Sequence, residues 1–171
     1  PAFHGSPLTV ADATAVSGTY DGTGAGTLST LSTTGAAPTT SDADVTVGLE
    51  ITSALPVVPT TRNGDATTAP LREMTVTGTV TLTIGDAAPV TYSFSGTLEL
   101  TGGTADAPRG RLTITADSTG TTSGFRLNAM LNDNTLTVTW LVASDHSTAP
   151  GGYVFQSPAS RTADRLTLTQ A

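Results

Sequence analysis

The chain has 171 residues, a length typical of one domain, and it carries 14 acidic against 7 basic side chains, for a formal net charge of −7. All basic residues are arginines scattered along the chain, so no basic stripe is present to displace counterions from a nucleic acid, and we expect no nucleic-acid partner. The chain has no cysteine, which excludes disulfides and thiolate metal sites, and no apolar run approaches the roughly 18 residues of a transmembrane helix.

The first part of the chain, residues 1–44, is less regular than the rest. Its glycine-rich stretch predicts two short or bent strands, around Gly18–Thr23 and Gly26–Leu31, because glycine weakens a strand interior. The next segment, Val45–Thr52, alternates apolar and polar residues and predicts a strand. Residues Ser53–Pro70 contain three prolines and no periodicity, so we predict a long surface loop there.

From Leu71 onward the alternation becomes strict. The stretch MTVTGTVTLTI has an apolar residue or glycine at every second position and threonine between them. The same alternation recurs in VTYSFSGTLEL, RLTITAD, FRLNAML and TLTVTWLV, and shorter segments, YVF and DRLTLTQ, follow. Such alternation is typical of strands with one buried face. It points a set of apolar side chains toward a shared interior, among them Val80, Val90, Phe94, Ile114, Val138, Trp140, Val142 and Leu168.

The spacing of these strands predicts a single all-β domain over residues 1–171. Short turns such as NDN favour antiparallel pairing of consecutive strands. We therefore predict an antiparallel meander that closes into a β-barrel, with a β-sandwich as the alternative, and we expect the last strand to pair near the first and cover an edge.

Several stretches resemble small exported bacterial β-barrel domains of the calycin-like, lipoprotein-associated kind. They are SGTYDGTGAGTLS, TVTGTVTLTI, YSFSGTLELTG, NDNTLTVTW and the closing DRLTLTQA. The resemblance implies a barrel that SGTY opens and LTLTQ closes, and a small apolar molecule as a ligand inside it. It carries over no catalytic residue.

The few aromatic side chains form the first candidate site. Tyr92, Phe94, Phe125 and Trp140 occupy inward positions on neighbouring predicted strands. A core cluster is the simpler interpretation, and the lining of an internal apolar pocket is the alternative.

The threonines between the inward residues form the second candidate site, an outer contact face. Threonine is β-branched and suits the outer face of any sheet. A surface with little charge also repels copies or partners only weakly, so it can pack against them. Ice binding is a remote third interpretation, because T-x-T ladders need a flat array and ordinary sheets twist. The threonines concerned are Thr75, Thr77, Thr79, Thr81, Thr83, Thr135, Thr137 and Thr139.

No constellation in the sequence favours catalysis. The two histidines, His4 and His146, lie in irregular segments, and Glu50 and Glu99 fall on outward positions. We predict no catalytic residue, no cofactor and no metal, and hence no enzyme.

Composition favours a location outside the cytoplasm. Only 12% of residues are charged, against about 25% in ordinary domains, and threonine makes up about a fifth of the chain. We expect a structural or binding component of a bacterial cell surface or of an extracellular or viral assembly. Its expected partners are copies of itself or other envelope or particle proteins. The alternative is a carrier of a small apolar ligand.

Overall fold

The computed structural model describes residues 16–30, 39–56, 73–103, 108–117, 124–145, 152–160 and 162–171. Within these ranges the chain forms nine β-strands. Their bounds are β1 Gly18–Thr30, β2 Thr39–Pro56, β3 Glu73–Ile84, β4 Val90–Gly103, β5 Pro108–Asp117, β6 Gly124–Asn132, β7 Thr135–Asp145, β8 Tyr153–Ser157 and β9 Thr167–Gln170.

The strands close into an antiparallel barrel of eight strands, with β9 as an additional strand. Each strand from β1 to β8 pairs with the next one along the chain, and β8 pairs back with β1 to complete the ring. The prediction of an antiparallel meander that closes into a barrel is therefore confirmed, and the sandwich alternative is not the fold.

The position between β7 and β1 is shared by two short strands. β8 pairs with the end of β7 and the end of β1, whereas β9 pairs with the beginning of each, at Thr135 and Tyr20 among others. Between β8 and β9 the chain leaves the sheet and returns at Leu166, whose carbonyl accepts a hydrogen bond from the Val138 N–H at 2.8 Å. The Ser157 hydroxyl, fully buried, donates to the Ala25 carbonyl at 2.8 Å and ties the end of β8 to β1.

The barrel interior is filled by the inward side chains of all strands. The five positions Val80, Phe94, Ile114, Val138 and Leu168 are all at most 4% exposed. Tyr20, Phe125 and Phe155 are the largest of the fully buried side chains. An eight-stranded barrel is just wide enough for its own side chains to fill, and this one is filled in that way.

Three β-bulges interrupt the alternation of β2, β4 and β7. In each case the extra residue is a threonine: Thr52, Thr101 and Thr139. The Thr52 hydroxyl donates to the Thr77 carbonyl at 3.1 Å, and the Thr139 hydroxyl donates to the Asn128 carbonyl at 3.0 Å. These two side chains satisfy acceptors on the neighbouring strand at the points where the ladder is disrupted. Past the bulges of β2 and β7, inward and outward positions exchange, so that Ala54 and Leu141 are buried.

At some inward positions, glycine allows the backbones of neighbouring strands to lie unusually close together. Gly78 of β3 lies opposite Phe94, and a Cβ there would collide with the carbonyl oxygen of Glu50. Gly96 of β4 likewise faces the carbonyl oxygen of Thr113. Glycines at such points let the strands bend enough for a sheet to close.

Several segment bounds differ from the sequence prediction, and β2 begins at Thr39 and not at Val45. The glycine-rich stretch forms one continuous strand of 13 residues, β1, and not two short ones, because it is held on both sides by β2 and by β8 and β9. Strand β2 runs through Pro56, so the first four residues of the loop predicted from Ser53 are strand. The remainder of that loop, 57–70, lies outside the described residues.

Candidate functional site

A small apolar pocket of about 220 Å³ opens at one end of the barrel, which we call the mouth. At the mouth β1 and β3 end while β4 and β8 begin. The turn from β3 to β4 is tight there, with Gly85 in the left-handed region at φ 57° and its N–H donating to the Asp44 carbonyl at 2.8 Å. The pocket is lined by Leu28, Thr30, Leu82, Ile84, Ala87, Ala88, Val90 and Tyr153.

The mouth leaves one large apolar side chain in solvent. Val90 is 38% exposed, although alternation placed it inward, because it is the first residue of β4 and stands at the rim. Leu28 and Tyr153 are lining residues that the sequence did not predict. They come together only because β8 pairs with the end of β1, and no local pattern predicts that pairing.

Tyr92 carries a buried polar group in the wall behind the mouth. Its ring stacks on Phe125 with centroids 5.6 Å apart, and its hydroxyl makes no hydrogen bond of normal geometry with the described residues, although the Tyr153 side chain lies near it. Burial, with the nearby Tyr153 and Asp145 side chains, raises the pKa of the Tyr92 hydroxyl well above its usual value. Tyr92 is therefore neutral over the physiological range and presents an uncharged phenol.

Three of the four predicted aromatic residues lie inside the barrel. Tyr92, Phe94 and Phe125 are each at most 6% exposed, and Phe94 is the cross-strand neighbour of Gly78. They belong to the packed core, and Tyr92 and Phe125 also contact each other.

Trp140 is not part of this cluster, and its predicted inward orientation is wrong. The bulge at Thr139 adds one residue to β7, so Trp140 pairs with Asn128 and points outward, 40% exposed. The same shift makes Val142 only partly buried and turns Leu141 and Ala143 inward, where both are fully buried.

The outer face of β3, β4 and β5 is a continuous surface of hydroxyl groups, which we call the hydroxyl face. Strand pairing aligns these residues in rows across the sheet; Thr81 and Thr91, for example, are opposite and share a hydrogen bond of 2.9 Å. The face comprises Thr75, Thr77, Thr79, Thr81, Thr83, Thr91, Ser93, Ser95, Thr97, Thr113 and Thr115.

Charged side chains surround the hydroxyl face but do not enter it. A row of Glu73, Glu99 and Arg111 bounds one end. Glu50 lies opposite Thr79 on one side, and Arg126 lies opposite Thr115 on the other. Cross-strand neighbours on one face are only about 5 Å apart, so the hydroxyls form an unbroken uncharged surface.

The three predicted contact residues on β7 lie elsewhere. Thr135, Thr137 and Thr139 are four strands away from β3 in a ring of eight, on the opposite side of the barrel. Thr135 and Thr137 are flanked by Thr169 and Thr167 of β9. The structure thus divides the predicted outer contact face into two separate surfaces.

Glu50 and Glu99, the two carboxylates singled out in the sequence, lie far apart in the structure. Glu50 and Glu99 are exposed, and the residues opposite them on β3, Thr79 and Glu73, are six positions apart, which is about 20 Å along a strand. Within the described part of the chain no three acidic or histidine side chains come close enough to hold a metal ion. His4 and His146 lie outside that part.

No helix in the described ranges has the length and apolar content needed to cross a membrane. Comparison with protein-family models, with curated proteins and with solved structures found no match to this chain.

Proposed function

We propose that the protein is a non-enzymatic structural or binding component of a bacterial cell surface, or of an extracellular or viral assembly, that packs against copies of itself through the hydroxyl face. The observation that carries the proposal is the register of β3, β4 and β5, which aligns threonines and serines into one uncharged surface. Low overall charge and abundant threonine support a location outside the cytoplasm.

Electrostatics favours the hydroxyl face as the contact surface. Two copies each carrying −7 repel one another, and the repulsion is smallest where surfaces without charge meet. Threonine and serine side chains lose little rotamer freedom when they are covered, and their hydroxyls can donate and accept across an interface. Acidic groups outside the face then keep other orientations apart.

The test is the state of association, with a charge placed inside the face. We expect the wild-type chain to form dimers or larger species in analytical ultracentrifugation at tens of micromolar, a range typical of weak self-contacts. Thr77→Glu should shift the protein to monomer, because a carboxylate in the contact must lose water without a partner. Thr137→Glu makes the same change on the opposite side and should leave association unaltered. A wild-type chain that stays monomeric and retains no envelope or particle protein in pull-downs contradicts the proposal.

A second candidate function, carriage of a small apolar ligand, is favoured by the mouth pocket. Its volume of about 220 Å³ lies below the roughly 300–1,000 Å³ of ordinary ligand sites, so it suits a short aliphatic or small aromatic molecule. The barrel axis is occupied by side chains, so we place the ligand at the mouth and not inside. Native mass spectrometry of gently purified protein should detect a retained ligand, and Ala88→Trp should displace it. If the native masses of wild type and variant differ only by the mass of the substitution, no ligand is displaced and this candidate is refuted.

Ice binding is not part of the proposal. A closed eight-stranded barrel coils its strands, whereas ice recognition through T-x-T ladders requires a flat array.

A further inference from the structure

A concave site outside the barrel surrounds the exposed tryptophan. The pocket has a volume of about 500 Å³ and lies where β8 ends and the chain leaves the sheet. It is lined by Thr139, Trp140, Gln156, Pro158, Ser160 and Arg165. It lies on the β7 and β8 side of the barrel, far from the hydroxyl face on β3 to β5.

The outward orientation of Trp140 is produced by the β-bulge at Thr139. Without the extra residue Thr139, the alternation that buries Leu136 and Val138 would also bury position 140. The bulge turns outward the only tryptophan of the chain, and the Thr139 hydroxyl holds the bulge by its bond to the Asn128 carbonyl. Bulges commonly re-aim a side chain beside a functional site. A large aromatic surface is thus presented to solvent within a concave pocket.

The polar groups around Trp140 are of the kind that bind hydroxyls. The Gln156 amide can both donate and accept, the Ser160 hydroxyl does the same, and the exposed Arg165 guanidinium donates. Among the described residues, the Gln156 amide N–H makes a long contact of 3.5 Å with the Pro158 carbonyl. Such groups lose their water at a cost when covered by a purely apolar molecule, so the ligand must itself be polar at its rim.

We propose that this pocket binds a neutral saccharide, with one sugar ring stacked on the Trp140 indole. A pyranose ring has an apolar C–H face and a rim of hydroxyl groups, and this division matches an aromatic surface bordered by amide, hydroxyl and guanidinium groups. Anionic ligands such as nucleotides are disfavoured because the chain carries −7, and Asp164 stands next to Arg165 while Asp42 and Asp44 line the neighbouring pocket.

The single tryptophan makes the test direct. Soluble neutral oligosaccharides of glucose, galactose, mannose and N-acetylglucosamine are titrated into the full chain while Trp140 emission is followed. We expect a saturable change in emission with at least one of them, with an affinity unaffected by sodium chloride up to about 0.5 M, because no ion pair forms. Isothermal titration calorimetry then gives the affinity of variants that lack the tryptophan.

Trp140→Ala should weaken binding at least tenfold, and Trp140→Phe should lose less because a smaller ring remains. Met130→Ala is the matched control, since Met130 is 41% exposed on the outer face of the adjacent strand and lies outside the pocket. It should leave the affinity unchanged. The proposal is overturned if no neutral saccharide binds, if Trp140→Ala binds as tightly as wild type, or if adenosine monophosphate binds and the saccharides do not. None of these results bears on association through the hydroxyl face.

Discussion

Replacement of Gly78 by alanine should destabilise the barrel, although alanine ordinarily stabilises a strand relative to glycine. A methyl group at this inward position would collide with the carbonyl oxygen of Glu50, and it would also lie 2.9 Å from the Glu50 carbonyl carbon and 3.0 Å from the Phe94 ring. The first two atoms are backbone of the adjacent strand β2 and cannot rotate away, so β2 and β3 must move apart.

The magnitude follows from two opposing terms. Forcing a methyl group into a packed interior costs about 1–3 kcal/mol. Removal of glycine from the unfolded chain returns about 0.5–1 kcal/mol. The midpoints of the two ranges leave a net loss of about 1 kcal/mol in the free energy of unfolding, which for a chain of this length lowers Tm by roughly 2–4 °C.

The control is Gly48→Ala in the neighbouring strand β2. Gly48 points outward, and the nearest atom to an added methyl group is the Asp21 Oδ1 at 3.2 Å, at the free end of a side chain that can move. This variant should be unchanged or stabilised by up to about 1 kcal/mol. Both are measured by urea denaturation followed by far-ultraviolet circular dichroism, with the slope m required to stay constant. Equal stability of Gly78→Ala and wild type, or equal losses in the two variants, would refute the close approach of β2 and β3.

Three further predictions follow from single side chains. Thr139→Val should lower the free energy of unfolding by about 0.5–1.5 kcal/mol, because it removes the hydroxyl that donates to the Asn128 carbonyl. It should also shift the Trp140 emission maximum, whereas Thr137→Val should do neither. Unchanged emission and stability would mean that the bulge does not need this bond. Tyr92→Phe should leave the protein as stable or up to about 1 kcal/mol more stable, because the hydroxyl it removes is buried and makes no hydrogen bond of normal geometry with the described residues. A clear loss in thermal unfolding would show that the hydroxyl is satisfied. Stability should fall in alkali: burial raises the pKa of Tyr20 to about 12 from 10, so above pH 10 the unfolded chain releases a proton that the folded one retains. The Tyr20 share of the loss is absent below pH 10 and reaches about 2–3 kcal/mol by pH 12, and Tyr92, whose pKa is also raised, adds a further loss. Tyr20→Phe should make this part of a urea-derived stability profile less steep, whereas an equally steep profile would assign the loss to other groups.

Alternation was sufficient to predict the strands of the second half and most of their buried faces. Val80, Phe94, Ile114 and Leu168 are buried as predicted, because a side-chain period of two decides the face of a strand wherever its ladder is regular. The closure into a barrel also followed from the number of strands and the expected return of the last strand to the first.

The wrong predictions of side-chain orientation arise where one extra residue in a strand exchanges its inward and outward positions. Nothing local distinguishes Thr139 from Thr137, yet only Thr139 is a bulge, because the choice depends on the pairing of β7 with β6 and on where β8 gives way to β9. Trp140 was placed on the wrong face for this reason, and with it the site that we assign to a saccharide. The division of the threonine faces into two surfaces likewise required the strand order.

The shared position of β8 and β9 has a consequence for the kinetics of folding. Each strand from β1 to β8 pairs with the next strand along the chain, but the ring closes only when β8 and β9 reach β1, and Tyr20 then pairs with Gln170. Such distant pairings lose much loop entropy before any contact forms, so we expect closure to be the slow step. Until then β1 presents an open edge on which another chain can add a strand, so dilute refolding should recover more native protein than concentrated refolding.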